Sequence, residues 1–151
     1  MNATRAEIAS SFRERGLRCT SQRYAVLQYL LKHPCHPTVE EIHGAVNRRD
    51  PRVSRATVYN SLHALVGSGL VREVDLGGDA TRFESRVERH HHFICDQCGG
   101  IEDIEWFEPG EIAHLAGLRP RSIRAVLLQG LCASCRAGKK NILQKKSHEH
   151  Q

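Results

Sequence analysis

Two C-x-x-C pairs and a run of three histidines carry the strongest chemical signals in this sequence. Cys95-Asp-Gln-Cys98 and Cys132-Ala-Ser-Cys135 can each hold two thiolates on one side of a tight turn. Two such pairs complete a tetrahedral four-sulfur shell around Zn²⁺. A closed shell leaves no position for water or substrate, which marks a structural ion. The 33 residues between the pairs exceed a compact ribbon spacing, so the intervening chain must fold back. The competing readings are two disulfides or a thioredoxin-like redox pair, and no strand–C-x-x-C–helix context is evident for the latter. Cys19 and Cys35 stand alone and read as small buried residues.

Arg89-His90-His91-His92 opens an extended stretch, where side chains alternate, so His90 and His92 face one side and His91 the other. Two imidazoles at i and i+2 can chelate one metal, with nearby carboxylates adding oxygen donors. A solvated strand edge is the bland alternative.

These groups need elements to position them. Residues 4–15 suit a helix ended by Gly16. Thr20 caps a second helix, whose Val26, Leu27, Leu30 and Leu31 recur at helical spacing before Pro34. Thr38 begins a third, with Glu41 in capping-box register and Val39, Ile42 and Val46 on its inner face. A fourth runs from about Ser54 to Gly67. Its apolar stripe is Val58, Leu62, Leu65 and Val66, leaving Arg55, Ala56, Tyr59, Asn60 and His63 on a neighbouring face open to a partner. Two short strands follow, Leu70 to Val74 and Ala80 to Glu84, around the turn Asp75-Leu-Gly77-Gly78-Asp79. Helices followed by a small hairpin describe a winged helix-turn-helix. Beyond it the pattern predicts strands at His90 to Cys95, Gly100 to Ile104 and Ser122 to Leu128, with a short helix near Glu111 to Ala116. The fold class is therefore α+β. The expected divisions are 1–84, a hinge at 85–89, a metal-binding unit at 90–137 and a flexible basic tail at 138–151.

The chain has 151 residues and a net charge of +5, which favours an anionic partner without naming one. Residues 1–84 carry 12 basic and 9 acidic groups, 85–137 carry 6 and 7, and 138–151 carry 4 and 1. The surplus lies at both ends and is absent from the cysteine-rich middle. No apolar run approaches the roughly 20 residues of a membrane span, and the N-terminus lacks the pattern of a secretory signal. A cytoplasmic protein without membrane association is expected, where cysteines serve more often as metal ligands than as disulfides. A C-terminal unit of roughly 50 residues has little core, and a structural metal is a common staple at that size.

Gly16-Leu-Arg18-Cys-Thr20-Ser-Gln22-Arg23, His36-Pro37-Thr38, Ala56-Thr57-Val58-Tyr59-Asn60, Gly69-Leu-Val71, Arg82-Phe83-Glu84 and His90-His-His92-Phe-Ile-Cys95-Asp-Gln-Cys98-Gly99 occur in this order. Together they make the chain resemble the ferric uptake regulator family of metal-dependent bacterial transcriptional regulators over roughly residues 5–137. The resemblance implies a dimeric repressor with an N-terminal winged helix and a C-terminal α/β dimerisation domain. It implies structural zinc on Cys95, Cys98, Cys132 and Cys135. It also implies a regulatory Fe²⁺ or Mn²⁺ on His36, Glu84, His90, His92 and Asp103, a thiolate-free donor set suited to either ion. Metal binding would lock the two domains into an arrangement competent for DNA.

The fourth helix would be the recognition helix, with Ala56, Thr57, Tyr59 and Asn60 at the bases. Tyr59 would pack on thymine methyls and Arg55 would reach a base edge or a phosphate. Arg18, Arg23 and the wing residues Arg72 and Arg82 would touch phosphates. A two-fold dimer implies an AT-rich inverted repeat in double-stranded DNA. Arg89 and Arg124 occupy places where some relatives have ligands of a further metal site, so that site is not expected. Nor does a cysteine lie where zinc-sensing relatives use one. An aspartate at 103 resembles the peroxide-responsive branch, in which His36 and His90 would be the oxidation targets. A glutamate at 84 resembles the iron-responsive branch, and a three-histidine heme site is a remoter possibility. The peroxide reading is preferred. A small zinc enzyme is the competitor from another class, but no hydrolase motif such as H-E-x-x-H is present. A structural zinc protein in an RNA-binding assembly would fit the basic tail but leave His90, His92 and Asp103 unused.

Overall fold

The structure is a computed structural model and describes residues 3–115, 117 and 125–138. It divides into two compact units, residues 1–87 and 88–151. In the first, four helices precede a hairpin: α1 (Arg5–Glu14), α2 (Ser21–Lys32), α3 (Val39–Asn47), α4 (Arg55–Gly67), β1 (Arg72–Val74) and β2 (Arg82–Glu84). This is the winged helix-turn-helix expected. Local chemistry starts the helices where polar caps stand. Thr20 Oγ1 accepts from the Arg23 N–H, and Thr38 and Glu41 form a reciprocal capping box. The inner faces of all four helices close over one core, with Ile8, Phe12, Leu30, Ile42, Val58, Leu62 and Leu65 at most 2% exposed.

The hairpin is shorter than the apolar pattern suggested. Leu70 and Val71 are not in a strand, because both their N–H groups return to the Leu65 carbonyl and wrap the end of α4. Gly69, at φ +72°, provides the left-handed residue this reversal needs. Strand β2 is tied to the segment before α3 by the Phe83 N–H donating to Pro37 O at 3.0 Å and by a Thr38–Arg82 bridge.

The second unit contains β3 (His91–Cys95), β4 (Ile101–Ile104), α5 (Gly110–Leu115), β5 (Leu127–Gly130) and α6 (Ala133–Arg136). Its sheet runs β4-β3-β5, antiparallel then parallel, with β3 central. The last strand lies further along the chain than expected, and Ser122 to Arg124 fall outside the described residues, as do Ala116 and the tail from Lys139. No described helix is long and apolar enough to cross a membrane.

Candidate metal centres and nucleic-acid face

The parallel pairing of β3 with β5 sets Cys95 opposite Gly130, two residues before Cys132. The Asp96 N–H closes the junction on Gly130 O at 2.7 Å. The chain thus folds back as the long cysteine spacing required. All four sulfurs lie within 4.8 Å of one another, and Cys98 and Cys132 are 3.9 Å apart. Sulfurs on a tetrahedral ion with bonds of about 2.3 Å are separated by about 3.8 Å. The cluster fits a structural zinc site, and none of the six cysteines is in a disulfide.

Backbone N–H groups prepare the cluster electrostatically. That of Cys132 donates to Cys95 Sγ at 3.3 Å. This bond, followed by that from the Cys98 N–H, lowers the Cys95 thiol to about 6. Desolvation, then the neighbouring sulfurs, raise Cys135 to about 12. One sulfur is therefore a ready thiolate, whereas another must release its proton to solvent when a metal binds.

Two cysteine expectations need correction. The second pair does lie between a strand, β5, and a helix, α6, at whose start Cys132 is the cap. That context does not make it a redox pair, because its sulfurs face the first pair. Cys19 and Cys35 are exposed rather than buried. Cys19 lies in the α1–α2 loop, and Cys35 follows the end of α2 with Sγ 3.2 Å from His33 O. Desolvation of its sulfur, then Glu41, raises the Cys35 thiol.

The nitrogen and oxygen donors fall in two sets. In the first unit, His36 Nε2 is 3.0 Å from Glu84 Oε2, and both residues are buried. The tie between β2 and the α3 entry creates this pair. Arg82 Nη1 donates to His36 O at 2.7 Å, and Arg72, directly across the hairpin from Glu84, approaches Oε1 at 3.4 Å. The two wing arginines thus brace these donors. A separation near 3 Å suits neighbouring positions on one ion with bonds of about 2.0–2.2 Å.

In the second unit, His90 and His92 are buried with their Nε2 atoms 2.9 Å apart, and Asp103 pairs with His92 across the β3–β4 register. Asp103 Oδ1 is 3.8 Å from His90 Nε2. His90 Nδ1 is 2.8 Å from the Glu88 carbonyl, which can only accept, so Nδ1 carries the proton and Nε2 presents a lone pair. His91 points the other way, as alternation requires. Its Nδ1 accepts from the Val126 N–H at 3.0 Å and its Nε2 donates to Phe107 O at 2.9 Å, so neither nitrogen is left for a metal. Its ring stacks on Trp106, with centroids 4.6 Å apart and planes at 25°, and the Arg89 guanidinium is 4.6 Å from the indole.

On α4, Arg55, Ala56, Tyr59 and Asn60 are exposed while Val58, Leu62 and Leu65 are buried. Tyr59 is 57% exposed, unusual for a side chain of its size. Thr57 is partly buried, and its N–H donates to Oγ of Ser54, the residue that caps the helix, with its hydroxyl 2.8 Å from the same oxygen. Arg18 is exposed in the α1–α2 loop, and its carbonyl accepts from Arg23 Nη1 at 2.9 Å. Arg55 forms an ion pair with Glu40 of α3, a partner the sequence pattern did not suggest.

The model of the ferric uptake regulator family matches residues 14–114. A peroxide-responsive repressor of Staphylococcus aureus is 40% identical over 110 residues, which cover 73% of this chain and 74% of that protein. The ferric uptake regulator of Helicobacter pylori superposes with a TM-score of 0.68 at 24% identity, covering 89% of this chain and 95% of its own. A zinc-bound manganese uptake regulator does so with a TM-score of 0.67 at 27% identity, covering 83% and 98%.

Proposed function

Because this chain belongs to the ferric uptake regulator family, whose members are metal-dependent transcription regulators rather than enzymes, we propose that it is a DNA-binding repressor that senses peroxide through bound Fe²⁺. The observation that carries the reading is the pair of thiolate-free donor sets, His36 with Glu84 and His90 with His92 and Asp103. The 40% identity to a peroxide-responsive repressor supports the branch. We assign the regulatory ion to all five residues, two from the first unit and three from the second. One ion drawing on both sets would make its occupancy a constraint on the hinge at 85–89, between a DNA-binding domain at 1–84 and a dimerisation and metal-binding domain at 90–137. We assign no role to the basic segment 138–151.

The chain's own groups define what each does. Arg72 orients the Glu84 carboxylate, and the Glu88 carbonyl fixes the tautomer that lets His90 donate. Ferrous iron, held by these residues, would supply the reducing chemistry that activates hydrogen peroxide beside the imidazoles. His36 or His90 would then gain one oxygen atom, the other leaving as water, and the weakened donor would no longer hold the ion or the DNA-binding arrangement. Mn²⁺ fits the same donors without that reactivity and serves as a stable corepressor. On DNA, a homodimer presents two copies of α4 to an AT-rich inverted repeat. Tyr59 and Asn60 reach base edges, and Arg18 and Arg23 contact phosphates.

Mass spectrometry of the Fe²⁺-loaded protein after mild peroxide tests the reading. A gain of one oxygen atom on His36 or His90, with loss of operator binding, is expected. The Mn²⁺ form should stay unmodified and bound. Glu84 favours an iron-responsive repressor as the second reading. Intact histidines beside iron-dependent DNA binding would select it.

A further inference from the structure

The Glu40–Arg55 pair lines an open cleft of about 730 Å³ between α4 and the hairpin. Ala56, Tyr59 and Asn60 line its helix side. Three of the other lining side chains, Glu40, Glu73 and Asp79, are acidic, and Arg55 is the only basic one. This is unusual for a surface that approaches a polyanion. Arg55 is also the first residue of α4, where the helix dipole disfavours a cation. Glu40, in the first turn of α3, supplies the carboxylate that offsets it, and both side chains are more than half exposed. A guanidinium has five N–H donors in a planar fork. Glu40 engages Nη2, which leaves the remaining donors to face an acceptor pair such as the O6 and N7 of guanine.

On the reading that α4 enters the major groove, we infer that Glu40 is a specificity-determining residue, which withholds Arg55 from phosphates and orients it towards a base edge. The carboxylate lowers affinity for any duplex while raising the advantage of the operator. A single exposed ion pair is weak, so the effect is a bias of a few-fold and not an on–off switch.

The test is binding of the Mn²⁺-loaded protein and its variants to operator and to unrelated duplex across a salt series. Glu40→Gln should raise affinity for unrelated DNA about 2- to 5-fold. It should steepen the plot of log affinity against log salt by about 0.9, the signature of one added phosphate contact. The ratio of operator to unrelated binding should fall, and Glu40→Asp should recover part of it. In an Arg55→Ala background, Glu40→Gln should no longer alter the slope or the ratio. Glu73→Gln, which removes an equal charge from the same cleft, should leave the ratio unchanged. An unaltered ratio in Glu40→Gln, or the same change with Arg55 absent, would overturn the inference. Failure of the parent chain to bind DNA with any metal would instead defeat the functional reading, and this inference with it.

Discussion

The four-sulfur cluster and the nitrogen–oxygen donors are both sets of mostly buried ligands, with Cys98 partly buried and Asp103 exposed, yet they are built in opposite ways. Every sulfur comes from one unit and from two turns joined by the β3–β5 pairing. The other donors are divided between two units and are held by partners outside the set, such as Arg72 at Glu84 and the Glu88 carbonyl at His90. A closed thiolate shell suits an ion that stays for the life of the fold. Mixed donors spread over separate elements suit an ion whose arrival changes how those elements are arranged. On the proposed function, permanence and responsiveness would follow from the placement of the ligands as much as from their chemistry.

Mutating the sulfur cluster should give the largest effect. Cys132→Ser is expected to lose stoichiometric zinc, measured by elemental analysis, together with cooperative unfolding of the second unit. Zinc contributes on the order of 10 kcal/mol to folding in small zinc modules. Retention of both would remove the distinction between the two sets. His90→Ala should keep its zinc but weaken Mn²⁺ binding by more than the ~10–100-fold typical of lost outer partners. Metal-dependent retardation of operator DNA should vanish with it. Arg72→Gln should cost about 10-fold in Mn²⁺ affinity with zinc and helix content intact, as seen by titration and circular dichroism. The same variant bound as tightly as the parent would deny Arg72 a bracing role.

The smallest effect is a matter of protons. At neutral pH Cys95, lowered to about 6, is already a thiolate, whereas Cys135, raised to about 12, is protonated in the metal-free chain. Zinc must displace the Cys135 proton, so apparent zinc affinity should rise with pH across the neutral range, and binding heats should vary with the buffer's ionisation enthalpy. A pH-independent affinity would indicate a cluster already deprotonated.

Much of this architecture is local and could be read from spacing. Thr20, Thr38 and Glu41 mark helix starts, the apolar stripe of α4 leaves Tyr59 and Asn60 outside, and alternation separates His91 from its neighbours. What spacing cannot carry is pairing between distant segments. Asp103 entered through family resemblance, and the β3–β4 register supplies the physical reason it stands beside His92. Nor does anything local show that Arg72 and Arg82, on the hairpin, return to Glu84 and His36. Residue type alone suggests that Cys19 and Cys35 are buried, whereas both lie in the loops flanking α2, where the chain is open to solvent.

Trp106 is the only tryptophan in the chain, and it lies against the imidazole of His91, the first residue of β3, which stands between His90 and His92. Its emission is therefore an intrinsic optical signal from the start of that strand, selectable by excitation at the red edge of protein absorption. Movement of β3 as a metal arrives or a ligand is oxidised can be followed in real time by the colour and intensity of one indole, without an attached dye.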